Sequence, residues 1–202
     1  MPTDRQSSEP AVAGAAPWAS SRVLEGERVV LRPWRASDRE PFARLNADPR
    51  VMEHFPALQT REESDASVAR FEAHLERHGF CLWALEVKGV APFIGMVGLN
   101  VPRFEAHFTP CVEIGWRLAA EHWGRGYAVE GARVALSVAF GELGLEEVVA
   151  FTAPRNVRSR RVMEKLGMTH DAGGDFDHPG VPEGHPLRRH VLYRLRAERF
   201  TR

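Results

Sequence analysis

Val112-Glu113-Ile114-Gly115-Trp116-Arg117-Leu118 and, after a short turn, Trp123-Gly124-Arg125-Gly126-Tyr127-Ala128-Val129-Glu130 decide how this chain folds. The first stretch is strand-like, and the second opens a helix with two glycines on either side of an arginine. Amides in the first turn of such a helix have no intrahelical acceptor, and the helix dipole favours negative charge beside them. Glycine lets a ligand come close to the backbone, and Arg125 adds a fixed positive charge. The junction reads as a cradle for a pyrophosphate, or as a glycine turn that only lets helix and strand pack closely. A dinucleotide-binding fingerprint would need a third glycine where Val129 stands, and the Walker A pattern is absent.

A second segment follows. Val148-Val149-Ala150-Phe151-Thr152-Ala153-Pro154-Arg155-Asn156 reads as an apolar, β-branched strand, a proline-marked exit and an asparagine in an N-cap position. Val157 to Leu166 continues as a short helix, and Gly167 sits where a left-handed C-terminal residue belongs. The order strand, glycine turn, helix, strand, Asn-capped helix resembles the GNAT superfamily of acetyl-CoA-dependent N-acetyltransferases. It is most similar to the bacterial ribosomal-protein N-terminal alanine acetyltransferases (RimJ/RimL type). The motifs that carry the resemblance are E-I-G-W-R-L, W-G-R-G-Y-A-x-E and N-x-x-S-x-R-V-M-E-K-L-G-M, and it extends from about Arg28 to Leu195.

Composition agrees with one domain holding a substantial core in 202 residues. With 27 basic residues against 27 acidic ones, no global field points to nucleic acid or a membrane surface. No apolar run approaches the ~20 residues of a membrane span. Cys81 and Cys111 form neither a disulfide framework nor a CxxC pair, so reduced thiols in the cytoplasm are expected. Residues 1–22, rich in Ala, Pro and Ser, read as a disordered leader rather than a signal peptide, and residues 23–202 as a single domain.

Within that domain, Arg28 to Trp34 alternates as a first strand broken by Pro33, and Ser37 to Glu40 starts a helix with Pro41 in its first turn. Val68, Phe71 and Leu75 give one buried face to a helix within Thr60 to His78. Phe80 to Val87 and Phe93 to Asn100 form a hairpin around Lys88-Gly89, and Pro102 to Pro110 is a loop. Ala128 to Leu143 is a long helix, Glu146 to Thr152 a buried strand, and His190 to Leu195 the last strand. An α/β fold follows, its largely antiparallel sheet turning parallel where a helix crosses between the central strands.

The resemblance implies a GNAT fold whose two central strands splay apart around the thioester of acetyl-CoA. Backbone groups of Ile114, Gly115, Trp116, Arg117 and Leu118 would pair with the pantetheine arm. Amides of Gly124, Arg125, Gly126, Tyr127, Ala128 and Val129, next to Trp123, would hold the pyrophosphate. Asn156 would cap its helix and contact the arm, and Arg158 or a neighbouring arginine would meet phosphate. Glu113 is the candidate base, with a solvated or structural carboxylate as the alternative, while Glu130 reads as a residue placed by the helix dipole. The chain departs from the family at two positions. Trp123 replaces the usual Gln or Arg that opens the Q/R-x-x-G-x-G/A signature. Met163 stands where many members carry a tyrosine acid, and a thioether has no proton to donate. Ser159, one turn earlier on the same face, is the available replacement, as a hydrogen-bond donor to the leaving sulfur or as a cofactor contact only.

His170, Asp175, Asp177, His178, His185 and His190 are metal-ligand types at spacings that match no standard site, so no metal is expected. The loop from Gly173 to Pro186 reads as a surface loop near the acceptor cleft, shaping substrate choice with Phe55-Pro56 and Phe104 to Phe108. The six arginines from Arg188 to Arg202 are balanced by acids elsewhere and no aromatic stacking motif interleaves them, so a nucleic-acid partner is not expected. The reading is an enzyme that moves acetyl from acetyl-CoA directly to a primary amine, either a protein N-terminal α-amine or a small molecule. An acetyl-CoA-binding sensor with weak or no turnover is the alternative. The resemblance also admits a homodimer, for which no heptad pattern speaks.

Overall fold

The structure is a computed structural model and describes residues 22–201. The leader assigned to residues 1–22 therefore lies outside it except for Arg22, whose guanidinium bonds Glu142 at 2.6 Å. Nine strands are described: β1 Leu24–Glu25, β2 Val29–Arg32, β3 Leu82–Val87, β4 Ala91–Asn100, β5 Glu113–Leu118, β6 Glu147–Thr152, β7 Thr169–His170, β8 Phe176–Asp177 and β9 Arg189–Arg196. Helices are α1 Arg39–Asn46, α2 Pro49–Met52, α3 Arg61–His78, α4 Tyr127–Gly141 and α5 Val157–Lys165. The sheet runs β1-β2-β3-β4-β5-β6-β9-β7, with β8 on β9. Every pairing is antiparallel except β5 with β6. The α/β class and the single parallel step across α4 are as the sequence predicts.

One face of the sheet is covered by α4 and α5. Ala132, Ala135, Leu136 and Ala139 recur at helical spacing on α4 and pack on Leu85, Val97, Ile114 and Val148. The other face is covered by α1 to α3, where Trp34, Phe42, Leu45, Met52 and Val68 pack on Ala84 and Met96. A buried ion pair ties this second layer down. Arg32 and Asp38, each 2% exposed, meet in a two-pronged pairing at 2.7 and 2.9 Å, and Glu86 takes the Arg32 Nε at 3.0 Å. A third, smaller cluster gathers Phe108, Val149, Phe176 and Leu192 with Phe104 and Phe151 below the ends of β6 and β9.

Helix starts follow local chemistry. Thr60 and Glu63 form a reciprocal capping box for α3, Asp48 caps α2 with Pro49 in its first turn, and Asn156 caps α5. Ser37 to Glu40, expected as a helix start, splits into a 3₁₀ turn at Ala36–Asp38 and the start of α1. The strand expected from Arg28 ends at Arg32, broken as expected by Pro33, which has no amide to continue the ladder.

Candidate active site

β5 and β6 are joined at one place. Glu113 pairs with Val149, the Val149 amide donates to the Val112 carbonyl at 3.0 Å, and beyond that point the strands no longer pair. β5 keeps its ladder with β4 on the other side, from Asn100–Glu113 to Gly95–Leu118. The edge of Ile114 to Leu118 that faces β6 is therefore an unpaired strand edge, able to take an extended polar chain by backbone hydrogen bonds. A cavity of about 690 Å³ opens in this fork, lined by β5, the 122–129 turn, the start of α5 and residues of the 178–190 loop. A second, of about 1370 Å³, lies against α3 and the β4–β5 loop. Leu82, Glu113, Phe151 and His178 border both.

Alternation along β5 sorts its side chains. Ile114 and Leu118 enter the core under α4, whereas Glu113, Gly115 and Arg117 look towards the α1–α3 layer. Glu113 keeps part of its surface open to the cavities. Burial pushes its carboxyl up to about 7, and the Asn100 amide, 3.5 Å away across the β4–β5 pair, opposes that rise only weakly. A carboxylate that gains and loses its proton near neutrality, placed at the apex of the fork, is suited to accept a proton from an ammonium group.

The glycine turn leaves its backbone open to a ligand. Gly124 and Gly126 have φ of +74° and +85°, and a Cβ on Gly124 would meet nothing within 4 Å. Gly126 is the N-cap of α4 and offers no side-chain acceptor, and the first turn-closing bond is Glu130 N to Gly126 O at 3.0 Å. Amides of Tyr127, Ala128 and Val129 are therefore left for a ligand, whereas α5 has its first turn satisfied by Asn156 Oδ1, which accepts from Ser159 N at 3.1 Å. These features fit the diphosphate of a CoA molecule. Glu130 does more than the dipole reading gave it. Its carboxylate accepts from the amides of Arg28 at 2.6 Å and Val29 at 3.1 Å and pairs with the Arg28 guanidinium, clamping α4 to β2. Arg28, which sequence reasoning passed over, also donates to the Arg125 carbonyl at 3.3 Å and lies over the Tyr127 ring.

Trp123, Asn156, Arg158 and Ser159 all line the fork cavity, as do Gly124, Gly126, Tyr127, Ala128 and Val129; Arg125 is exposed beside them. Asn156 spends an amide hydrogen on Thr152 Oγ1 at 3.0 Å. Arg158 stacks over the Trp123 ring at 4.5 Å and pairs with Glu53 at 2.7 Å, so Trp123 has a partner of its own in place of the usual Gln or Arg. Arg160 is turned away towards Tyr193 Oη and the Pro154 carbonyl. Met163 is 1% exposed and reaches the cavity wall. His178 and His190, 5.0 Å apart between ring centroids, pack at tilted and edge-on angles among Phe104, Phe151 and Phe176 at the cavity edge. Burial lowers the His178 imidazole to about 4 and also lowers that of His190, so both are neutral at pH 7.

The acetyltransferase (GNAT) domain family matches residues 28–169. The chain belongs to that family. YkkB of Bacillus subtilis is 33% identical over 146 residues, 72% of this chain and 84% of that protein. The FsC-acetyl coenzyme A-N(2)-transacetylase of Aspergillus fumigatus is 32% identical over 194 residues, covering 89% of this chain and 82% of its own. Among solved structures, a GNAT-family acetyltransferase from Bacillus anthracis superposes with a TM-score of 0.71 at 26% identity, over 88% of this chain and 99% of that one. Mycobacterium smegmatis RimJ in complex with CoA-disulfide has the same fold, with a TM-score of 0.71 at 21% identity over 89% and 90% of the two chains. The protein is a GNAT acetyltransferase, an enzyme class that draws its acetyl group from acetyl-CoA. No helix among the described residues is long and apolar enough to cross a membrane.

Proposed function

We propose that the enzyme transfers acetyl directly from acetyl-CoA to a primary amine in a ternary complex, with Glu113 as the base. The observation that carries this reading is the single-point junction of β5 with β6, with Glu113 at its apex. The pantetheine arm pairs with the free edge of Ile114 to Leu118, and the diphosphate rests on the amides following Gly124. Asn156, Ser159 and Arg158 line the fork on the α5 side. An ammonium acceptor gives a proton to Glu113, its nitrogen attacks the thioester carbonyl, the cationic nitrogen of the tetrahedral adduct releases its second proton to solvent, and the carbon–sulfur bond breaks as the adduct collapses to the amide. Ser159 donates a hydrogen bond to the departing sulfur. A free thiol ionises near ~8.5, so the thiolate takes its proton from solvent without a tyrosine. Holding both reactants in line supplies up to ~7–11 kcal/mol of the barrier reduction in ideal geometry, which is why no covalent enzyme intermediate is required.

Calorimetric titration with acetyl-CoA, with NADH as control, tests the binding half. One-to-one micromolar binding of acetyl-CoA alone supports the cradle; no binding sinks the proposal. The buried Met163 in place of an acid favours a second reading, binding without turnover. Thiol release during incubation with a panel of amines separates the two, since a sensor would bind acetyl-CoA and release no thiol above the buffer rate.

A further inference from the structure

Arg117 is the unusual cation of this cavity. It lies two strand positions beyond Gly115 and four beyond Glu113, on the same face of β5, which places the two Cα atoms ~13 Å apart along the strand. Its Nη1 donates to Asn46 Oδ1 at 2.7 Å, and its guanidinium carbon sits 4.1 Å from the centroid of the Phe55 ring. Its Nε is buried with no hydrogen-bond partner, and no carboxylate lies within ion-pair distance of the side chain among the described residues. Desolvation alone lowers its pKa to about 10. Neighbouring cations of the same cavity are placed differently. Arg50 pairs with Asp48 and Arg158 with Glu53, while Arg161 and Lys165 are exposed on α5, the cofactor side. An unpaired buried guanidinium is costly to keep unless a partner arrives, and a planar, two-pronged donor selects carboxylates. Between the two charged groups the floor is Gly115, where even a Cβ would meet only Leu82, at 3.5 Å.

We infer that the acceptor is an amine that also carries a carboxylate: its nitrogen is presented to Glu113 and its acid group is held by Arg117, with Phe55 and Asn46 fixing the guanidinium. This rests on the acetyltransferase reading above and adds the acceptor class to it. Arg117 touches substrate without taking part in bond making, so it sets specificity.

The test compares matched acceptors in the thiol-release assay: free α-amino acids, ω-amino acids of increasing chain length, and short peptides with an acidic residue near the N-terminus, each against its carboxamide. With the unaltered enzyme, at least one carboxylate is expected to exceed its amide in kcat/KM by about ten- to a hundredfold, the worth of one or two hydrogen bonds to a charged group. Whether free amino acids or the acidic peptides show that preference identifies the source of the acid group. Arg117→Gln is expected to bring the ratio close to one, mainly through acceptor KM, and Arg117→Lys to restore part of it. Equal use of acids and amides, turnover confined to amines without an acid group, or no acetylation of any carboxylate overturns the inference. The unaltered enzyme's ratio decides even if the variants fail to fold. Acetyl-CoA titration in parallel keeps the two readings apart: failure to bind acetyl-CoA defeats the transferase proposal, whereas binding with no acid preference defeats this inference alone.

Discussion

Glu113 is the base of the proposed transfer, and its environment predicts two pH dependences. Its carboxyl is raised to about 7 by burial, so the base is active only after that proton is lost. The rate at low acceptor concentration is expected to climb as pH rises to about 7 and then level off. Glu113→Gln is expected to lower kcat on the order of 10²-fold and to remove this limb, as pH–rate profiles of the two proteins will show. The same shift affects stability with the opposite slope. Between the ordinary carboxyl value of 4.5 and about 7 the folded protein binds more protons than the unfolded chain, so stability falls as pH rises through this window. Glu113→Gln has no carboxylate to ionise and is expected to melt above the parent enzyme at pH 8, the difference narrowing at pH 5. Glu113, Gly124, Gly126 and Asn156 were legible in the sequence because each belongs to a motif with a backbone reason. Arg117 was legible only through its backbone, because nothing in the sequence says that Asn46 and Phe55 meet its guanidinium. Glu130 read as a dipole partner, since its bonds to Arg28 and Val29 bridge about a hundred residues of chain.

At the scale of elements, the two helices of the proposed cofactor face start differently, and substitutions are expected to separate binding from stability. Gly124→Val places a β-branched residue at φ +74°, against ~1–2 kcal/mol of left-handed backbone cost, and puts its methyl groups where the diphosphate would lie. Acetyl-CoA affinity measured by calorimetry is expected to fall by more than tenfold. Asn156→Ala instead removes a cap and a bond to Thr152, which is expected to cost ~1 kcal/mol and lower the melting temperature by ~2–4 °C in scanning calorimetry. Periodicity located the long elements well, as with α3 and α4, because tertiary packing and local pattern agree there. β1, β7 and β8 were not legible, since two-residue strands carry no alternation to read. α2 had a readable start in Asp48-Pro49 and was passed over for its brevity. The Lys88-Gly89 turn set the β3–β4 hairpin, but its strands shift register between Leu85 and Val87, beyond what residue patterns specify.

For the whole molecule, the sheet separates two walls with separate duties. α4 and α5 carry the proposed diphosphate cradle and the lining of the fork, while α1 and the segment after α2 carry Asn46 and Phe55, the partners of Arg117. The second wall is fastened through Asp38, just before α1, whose carboxylate holds Arg32 on β2 and accepts the Arg35 amide at 2.7 Å. Asp38→Ala leaves a buried guanidinium with Glu86 as its one remaining carboxylate among the described residues, beside the Pro33 and Pro92 carbonyls, a loss expected to approach ~3 kcal/mol. Thermal unfolding should then begin on the order of 10 °C lower for a chain of this size. If the walls act separately, the damage is directional: α1 loosens, Asn46 no longer fixes the Arg117 guanidinium, and acceptor KM rises severalfold. Acetyl-CoA affinity, which in the proposed reading rests on the amides at the start of α4 on the opposite face, should change by less than twofold below the transition. Steady-state kinetics and calorimetry at a temperature where Asp38→Ala is still folded decide the matter, because equal losses of both ligands would mean that one cooperative unit holds them.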